Sequence, residues 1–199
     1  MISFAFAFPG QGSQAVGMLD AWGDHPVVRQ TVQEASDALG EDLGKLIHEG
    51  PKESLALTTN TQPVMLLAGV AAYRAWRAEG GAAPAAVAGH SLGEYSALVA
   101  SGVLTLAQAV PLVRLRAQAM QEAVPVGQGA MAAILGLDSA RVVEGCAQAS
   151  ASFGVGSPEV VEAVNFNDPA QTVIAGSKAG VEKACEVLKG LGAKRALPL

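Results

Sequence analysis

Long apolar runs are missing from this sequence of 199 residues. The longest, Val64 to Tyr73, is broken by Arg74 well short of the length that crosses a bilayer. The N-terminus, MISFAFAF, is apolar but has neither a basic flank nor an extended apolar core, so it does not read as a signal peptide. These two absences predict no membrane attachment and a cytoplasmic location. Positive charge is short as well. Thirteen Lys and Arg against 18 Asp and Glu leave a net charge of -5, which argues against a general nucleic-acid binder, since phosphate neutralisation needs clustered bases in excess. The two cysteines, Cys146 and Cys185, form no C-x-x-C pair and no ligand cluster. They read as buried thiols of a reducing cytosol, neither is read as catalytic, and no metal site is expected.

What is present suits a globular protein of one or two domains: 50% of residues are hydrophobic and 16% charged, enough to bury a core. The chain is organised around Gly89 to Leu98, GHSLGEYSAL. An apolar run, Ala85 to Gly89, stops at Gly-His-Ser-Leu-Gly, and an amphipathic segment begins at Leu92. That order is strand, sharp turn, helix. In a G-x-S-x-G elbow the serine occupies a strained turn whose flanking residues must be small, a need that Gly89 and Gly93 meet. The Ser91 hydroxyl would then stand over a helix N-terminus, where free N–H groups can hold a developing oxyanion. The pentapeptide alone also arises by chance in a chain rich in Gly and Ala.

A second glycine-rich stretch, FPGQGSQ from Phe8 to Gln14, follows an expected strand at Ile2 to Phe8 and leads to an expected helix near Val16. It is not a dinucleotide fingerprint, because after Gly10 and Gly12 the next glycine, Gly17, comes two positions late. Nor is it a phosphate loop, which needs a lysine. It is either a structural loop or one whose glycines free the backbone, so that the Gln11 N–H can point into an active site.

GHSLGEYSAL resembles the nucleophile motif of the malonyl-CoA:acyl carrier protein transacylases, stand-alone relatives of the acyltransferase domains of fatty-acid and polyketide synthases. FPGQGSQ close to the start matches the same family, and so does LRAQAMQEAVP from Leu115 to Pro125. The resemblance implies Ser91 as nucleophile and the backbone N–H groups of Gln11 and Leu92 as the oxyanion hole. It implies Arg116 as the anchor for the free malonyl carboxylate, and Gln62, His90 and Asn165 as substrate contacts. A guanidinium fork suits that role, because it takes a carboxylate bidentately where lysine offers a point charge. Ala117 stands where the family motif usually has glycine.

The rest of the chain reads as helices at His25 to Leu39 and Glu41 to His48, with His25 and His48 exposed or packing and outside any polar cluster. A helix opens near Asn60 with Pro63 in its first turn, and others cover Leu92 to Ala100 and Thr105 to about Ala123, the last containing Pro111. Arg114 reads as solvated or in a surface ion pair. Pro and Gly cluster from Val124 to Gly129, which marks a boundary between domains 1–125 and 126–199. Beyond it come strand 130–137, helix 139–150, strands 160–166 and 171–176, helix 178–191 and strand 195–199. This is the βαββαβ order of a ferredoxin-like unit. The expected fold is α/β: an α/β-hydrolase-like large subdomain, incomplete at the C-terminus, with an inserted ferredoxin-like small subdomain whose Asn165 faces the cleft.

The implied chemistry is ping-pong acyl transfer. Ser91 takes malonyl from malonyl-CoA, CoA leaves, and the phosphopantetheine thiol of an acyl carrier protein carries the group away, with no permanently bound cofactor. Serine needs a base, yet the only histidines are His25, His48 and His90, and none follows Ser91. His90 is a poor substitute, since neighbours at a strand end point to opposite sides. The resemblance therefore implies an N-terminal portion of such an enzyme, ending before its histidine, while the start at Met1 favours a discrete enzyme. Lys178, Lys183, Lys189, Lys194 and Arg195 form a solvated face or, carrier proteins of this class being acidic, part of a docking face. The alternatives are a serine thioesterase or other hydrolase, and a non-catalytic carrier-binding module.

Overall fold

The computed structural model describes residues 3–125 and 127–199. It separates into two compact units, Met1–Ala123 and Val124–Leu199. Ile2, at the expected start of the first strand, and Val126, at the expected domain boundary, lie outside the described residues.

In the first unit, strand β1 (Ala5–Phe8) pairs in parallel with β2 (Ala86–Gly89), in the register Phe6 to Val87 and Phe8 to Gly89. Phe6 and Phe8 meet Tyr73 edge-on, with ring centroids 5.4 and 6.2 Å apart. Helices α1 (Pro26–Leu39), α2 (Leu43–Glu49), α3 (Lys52–Ala56), α4 (Thr58–Ala78), α5 (Gly93–Ala100) and α6 (Leu106–Ala123) make up the remainder. Leu43, Leu66, Leu67, Leu92, Leu106 and Val110 belong to their common core. Local chemistry sets the helix ends. Pro26 opens α1, and Gly40 closes it in the left-handed conformation, donating to Ser36 O at 2.8 Å. Thr105 and Gln108 form a reciprocal capping box at α6.

Several expectations are corrected. No helix forms near Val16: Gly17 adopts a φ of 75° and donates to Ile47 O, so the chain turns and makes only a short 3-10 helix, Asp20–Trp22. The second helix begins at Leu43 rather than Glu41, because Asp42 caps it by accepting from Lys45 N at 2.8 Å. Helix α4 begins two residues before Asn60, so Pro63 falls past the first turn and inside the helix. His25 and His48 sit in polar pairs, 3.1 Å from Glu79 and 2.8 Å from Asp20. Partners 54 and 28 residues away in sequence were invisible to local patterning.

The second unit runs β3 (Gly129–Leu135), α7 (Ser139–Ala151), β4 (Val161–Asp168), β5 (Gln171–Ser177), α8 (Lys178–Gly190) and β6 (Arg195–Pro198). The sheet order is β4-β5-β3-β6 with every pairing antiparallel, the ferredoxin-like arrangement. Ala132, Ile134, Val161 and Ile174 from the sheet share one core with Val142, Cys146 and Ala149 of α7 and Val181, Ala184 and Leu188 of α8. Burial pushes the Cys146 thiol up to about 11 and raises Cys185 as well. Lys183 is paired with Glu186 of its own helix at 3.3 Å, so part of the basic face is already neutralised. Among the described residues no helix is long and apolar enough to cross a membrane.

Candidate active site

The turn from β2 to α5 is built by close approach. A methyl group on Gly89 would overlap the backbone of Gly93 and Glu94, and one on Gly93 would overlap the carbonyl of Phe8 at the end of β1. Only glycine lets strand, turn and helix come this near. Between them Ser91 has a φ of 52°, the one positive value at a non-glycine position among the described residues. Such a conformation is strained for an L-residue, and it lifts the side chain out of the turn. Leu92, 1% exposed, drives into the core of the first unit and pins the bend, while Gly93 N donates to His90 O and Glu94 N to Ser91 O. Ser91 itself is exposed.

Its hydroxyl accepts a hydrogen bond from Arg116 Nη2 at 2.9 Å. Arg116 Nη1 donates to Gln62 Oε1 at 2.8 Å, and the guanidinium carbon lies 6.0 Å from the centre of the Tyr95 ring. Gln62, on α4, is 1% exposed, and its Nε2 reaches Met120 Sδ at 3.4 Å. A chain of contacts from two helices, α4 and α6, thus ends on the serine: Met120, Gln62, Arg116, Ser91. Arg29, Arg74 and Arg114 pair with Asp24, Glu34 and Glu41 at 3.3, 2.6 and 2.6 Å. Arg116 has only neutral partners, a part-buried cation without a counter-ion among the described residues.

The loop after β1 lies against the elbow. A methyl group on Gly10 would sit 3.0 Å from His90 O and 3.1 Å from His90 Nδ1, and His90 N donates to Phe8 O at 3.2 Å. Gln11 stands at the turn of this loop, its side chain bound to Thr58 Oγ1 at 3.3 Å. The Leu92 amide heads α5, where the first N–H groups have no acceptor within the helix. Arg116 therefore contacts both Ser91 and Gln62, with Leu92, His90 and Gln11 along the adjoining turn and loop. Asn165 belongs to the second unit, on β4 opposite Val173. Sequence reading missed Tyr95 and Met120. Each lies four residues beyond a residue it did single out, Ser91 and Arg116, on a stretch already read as helical.

A strained, exposed serine at a strand-to-helix bend, with a guanidinium beside it, has the geometry of a G-x-S-x-G elbow on an α/β fold. The sequence profile of the family described as "Acyl transferase domain" matches residues 5–196, and the chain belongs to that family. Within it, the chain is 56% identical over its whole length to the malonyl CoA-acyl carrier protein transacylase of Escherichia coli (strain K12) and 44% identical to that of Bacillus subtilis (strain 168). It covers 63% and 61% of those proteins, so it spans less than two thirds of the curated relatives it matches. Among solved structures, an acyl-carrier-protein S-malonyltransferase from Burkholderia pseudomallei 1710b superimposes with a TM-score of 0.93 at 67% identity, over 100% of this chain and 62% of that one. A malonyl-transacylase in complex with a type II PKS acyl-carrier protein gives 0.92 at 52% identity, over 100% and 62%.

Proposed function

We propose that the chain carries the acyl-transfer site of a malonyl-CoA:acyl carrier protein transacylase acting in the cytoplasm in fatty-acid synthesis. Residues 1–125 form the acyl-transfer subdomain and 126–199 a ferredoxin-like insertion. The observation that carries this reading is the Arg116 guanidinium, without a counter-ion among the described residues, in contact with the Ser91 hydroxyl. A nucleophile next to a cation of this kind fits an acyl group bearing a free carboxylate.

In this mechanism Ser91 Oγ attacks the thioester carbonyl of malonyl-CoA. The N–H groups of Gln11 and Leu92 hold the oxyanion, and Arg116 keeps Gln62 and exchanges its contact with Ser91 for the malonyl carboxylate. Gln62 orients the guanidinium, and His90 contacts the substrate. CoA leaves as the thiol, and the phosphopantetheine thiol of a carrier protein then attacks the malonyl-serine ester. Guanidinium cannot take the serine proton, and no histidine follows Ser91. Acylation by this chain alone is accordingly slow, on the order of 10⁴- to 10⁶-fold below an intact serine–histidine pair.

Incubation with labelled malonyl-CoA, followed by phosphopantetheinylated carrier protein, tests the reading. Label that passes from Ser91 to the carrier supports it. Label released as free malonate points to a hydrolase, and carrier binding with no Ser91 label to a non-catalytic module.

A further inference from the structure

The Gln62 side chain is an amide with two unlike ends, and it is 1% exposed, so water does not decide which end faces which way. Arg116 has N–H donors and no acceptor. Only Oε1 can face its Nη1, 2.8 Å away. The NH₂ end must then point elsewhere, and a buried donor without an acceptor is costly. The atom waiting for it is Met120 Sδ at 3.4 Å. A thioether sulfur is an acceptor with no proton to give, so it accepts the NH₂ end and disfavours the reversed amide. Met120 is four residues after Arg116 on α6, so a single helix presents both the donor and the acceptor that bracket the amide. The side chain is 50% exposed, and packing alone gives little reason for a methionine there.

We infer that Met120 is a positioning residue: its sulfur fixes the polarity of the Gln62 amide, and the amide oxygen in turn fixes the plane of the Arg116 guanidinium for a carboxylate. Leucine would fill much the same space without a lone pair. The buried NH₂ would then have no acceptor, the amide would be held by Arg116 alone and could swing out of the guanidinium plane, and the fork would lose one of its two supports. The inference rests on the reading that Arg116 receives the malonyl carboxylate.

The test is equilibrium binding of malonyl-CoA and acetyl-CoA to the 199-residue chain and to the variants Met120→Leu, Met120→Gln and Arg116→Ala, with the Gln62 side-chain amide followed by ¹⁵N NMR. Met120→Leu is expected to weaken malonyl-CoA about three- to tenfold, a typical value for one hydrogen bond, and to leave acetyl-CoA within about twofold. The Gln62 NH₂ signals should move, and Met120→Gln, which restores an acceptor, should recover malonyl-CoA binding. The inference is overturned if Met120→Leu leaves the malonyl-to-acetyl ratio and the Gln62 signals unchanged while Arg116→Ala collapses the ratio. It is equally overturned if Met120→Leu weakens both ligands alike. If Arg116→Ala itself leaves the ratio unchanged, the reading of Arg116 fails, and the inference that depends on it fails too. The Gln62 signals distinguish that case, since they report the sulfur contact without any ligand.

Discussion

Arg116 Nη2 donates to the Ser91 hydroxyl at 2.9 Å, so the group proposed to hold one end of the acyl chain rests on the atom proposed to bond the other. An incoming carboxylate draws the guanidinium away from the serine as it docks. The two events are then coupled, and a thioester without a carboxylate leaves Arg116 where it is. Arg116→Ala should lower malonyl-CoA affinity about 10- to 100-fold, the range for a hydrogen bond to a charged group, with acetyl-CoA little changed. Arg116→Lys should recover only part of it, because a point charge cannot replace the fork. Calorimetric titration of both ligands measures this.

The backbone at Ser91 predicts an unusual order of stabilities. With a φ of 52°, the position suits glycine better than any residue bearing a Cβ. Ser91→Gly should be about 1 kcal/mol more stable than Ser91→Ala in urea denaturation, although both remove the hydroxyl. Equal stabilities would show that the turn is unstrained.

Gly93→Ala should cost about 2 kcal/mol or more, since the added methyl group meets the carbonyl of Phe8 on a neighbouring strand and neither backbone can move freely. Gly190→Ala serves as the control. That residue lies at the end of α8 with nothing near its missing methyl group, and the exchange should stabilise by about 0.5 to 1 kcal/mol.

The hydrogen bond from His48 to Asp20 raises the imidazole above its ordinary 6.5, because the carboxylate favours the charged ring. A folded-state value above the unfolded one means the contact contributes fully below pH 6.5 and is lost as pH rises through the raised value. NMR titration should place His48 above 6.5 in the native chain, and Asp20→Asn should bring it back toward that value.

Much of this could be read from the sequence where the physics is local. The elbow was legible because the two glycines and the serine that make it lie within five residues, and its steric demands fall on those same positions. The ferredoxin-like order was legible because its strands and helices alternate cleanly between turn residues. Helix α3 was not, since five residues are too few to show a period. The Arg116 contact with Ser91 was expected from family resemblance alone, as no local rule joins residues 25 positions apart. The polar contacts of His25 and His48, and the sulfur behind Gln62, depend on which helices pack together, and that is set by the whole core.

The most direct measurement is peptide mapping of the chain after prolonged incubation with malonyl-CoA or acetyl-CoA, read by mass spectrometry. The account predicts a slowly formed malonyl ester confined to Ser91, absent from Ser91→Ala and strongly reduced in Arg116→Ala, with no comparable acetyl adduct. An adduct at another residue, or acetyl and malonyl esters forming at the same rate on Ser91, would contradict it.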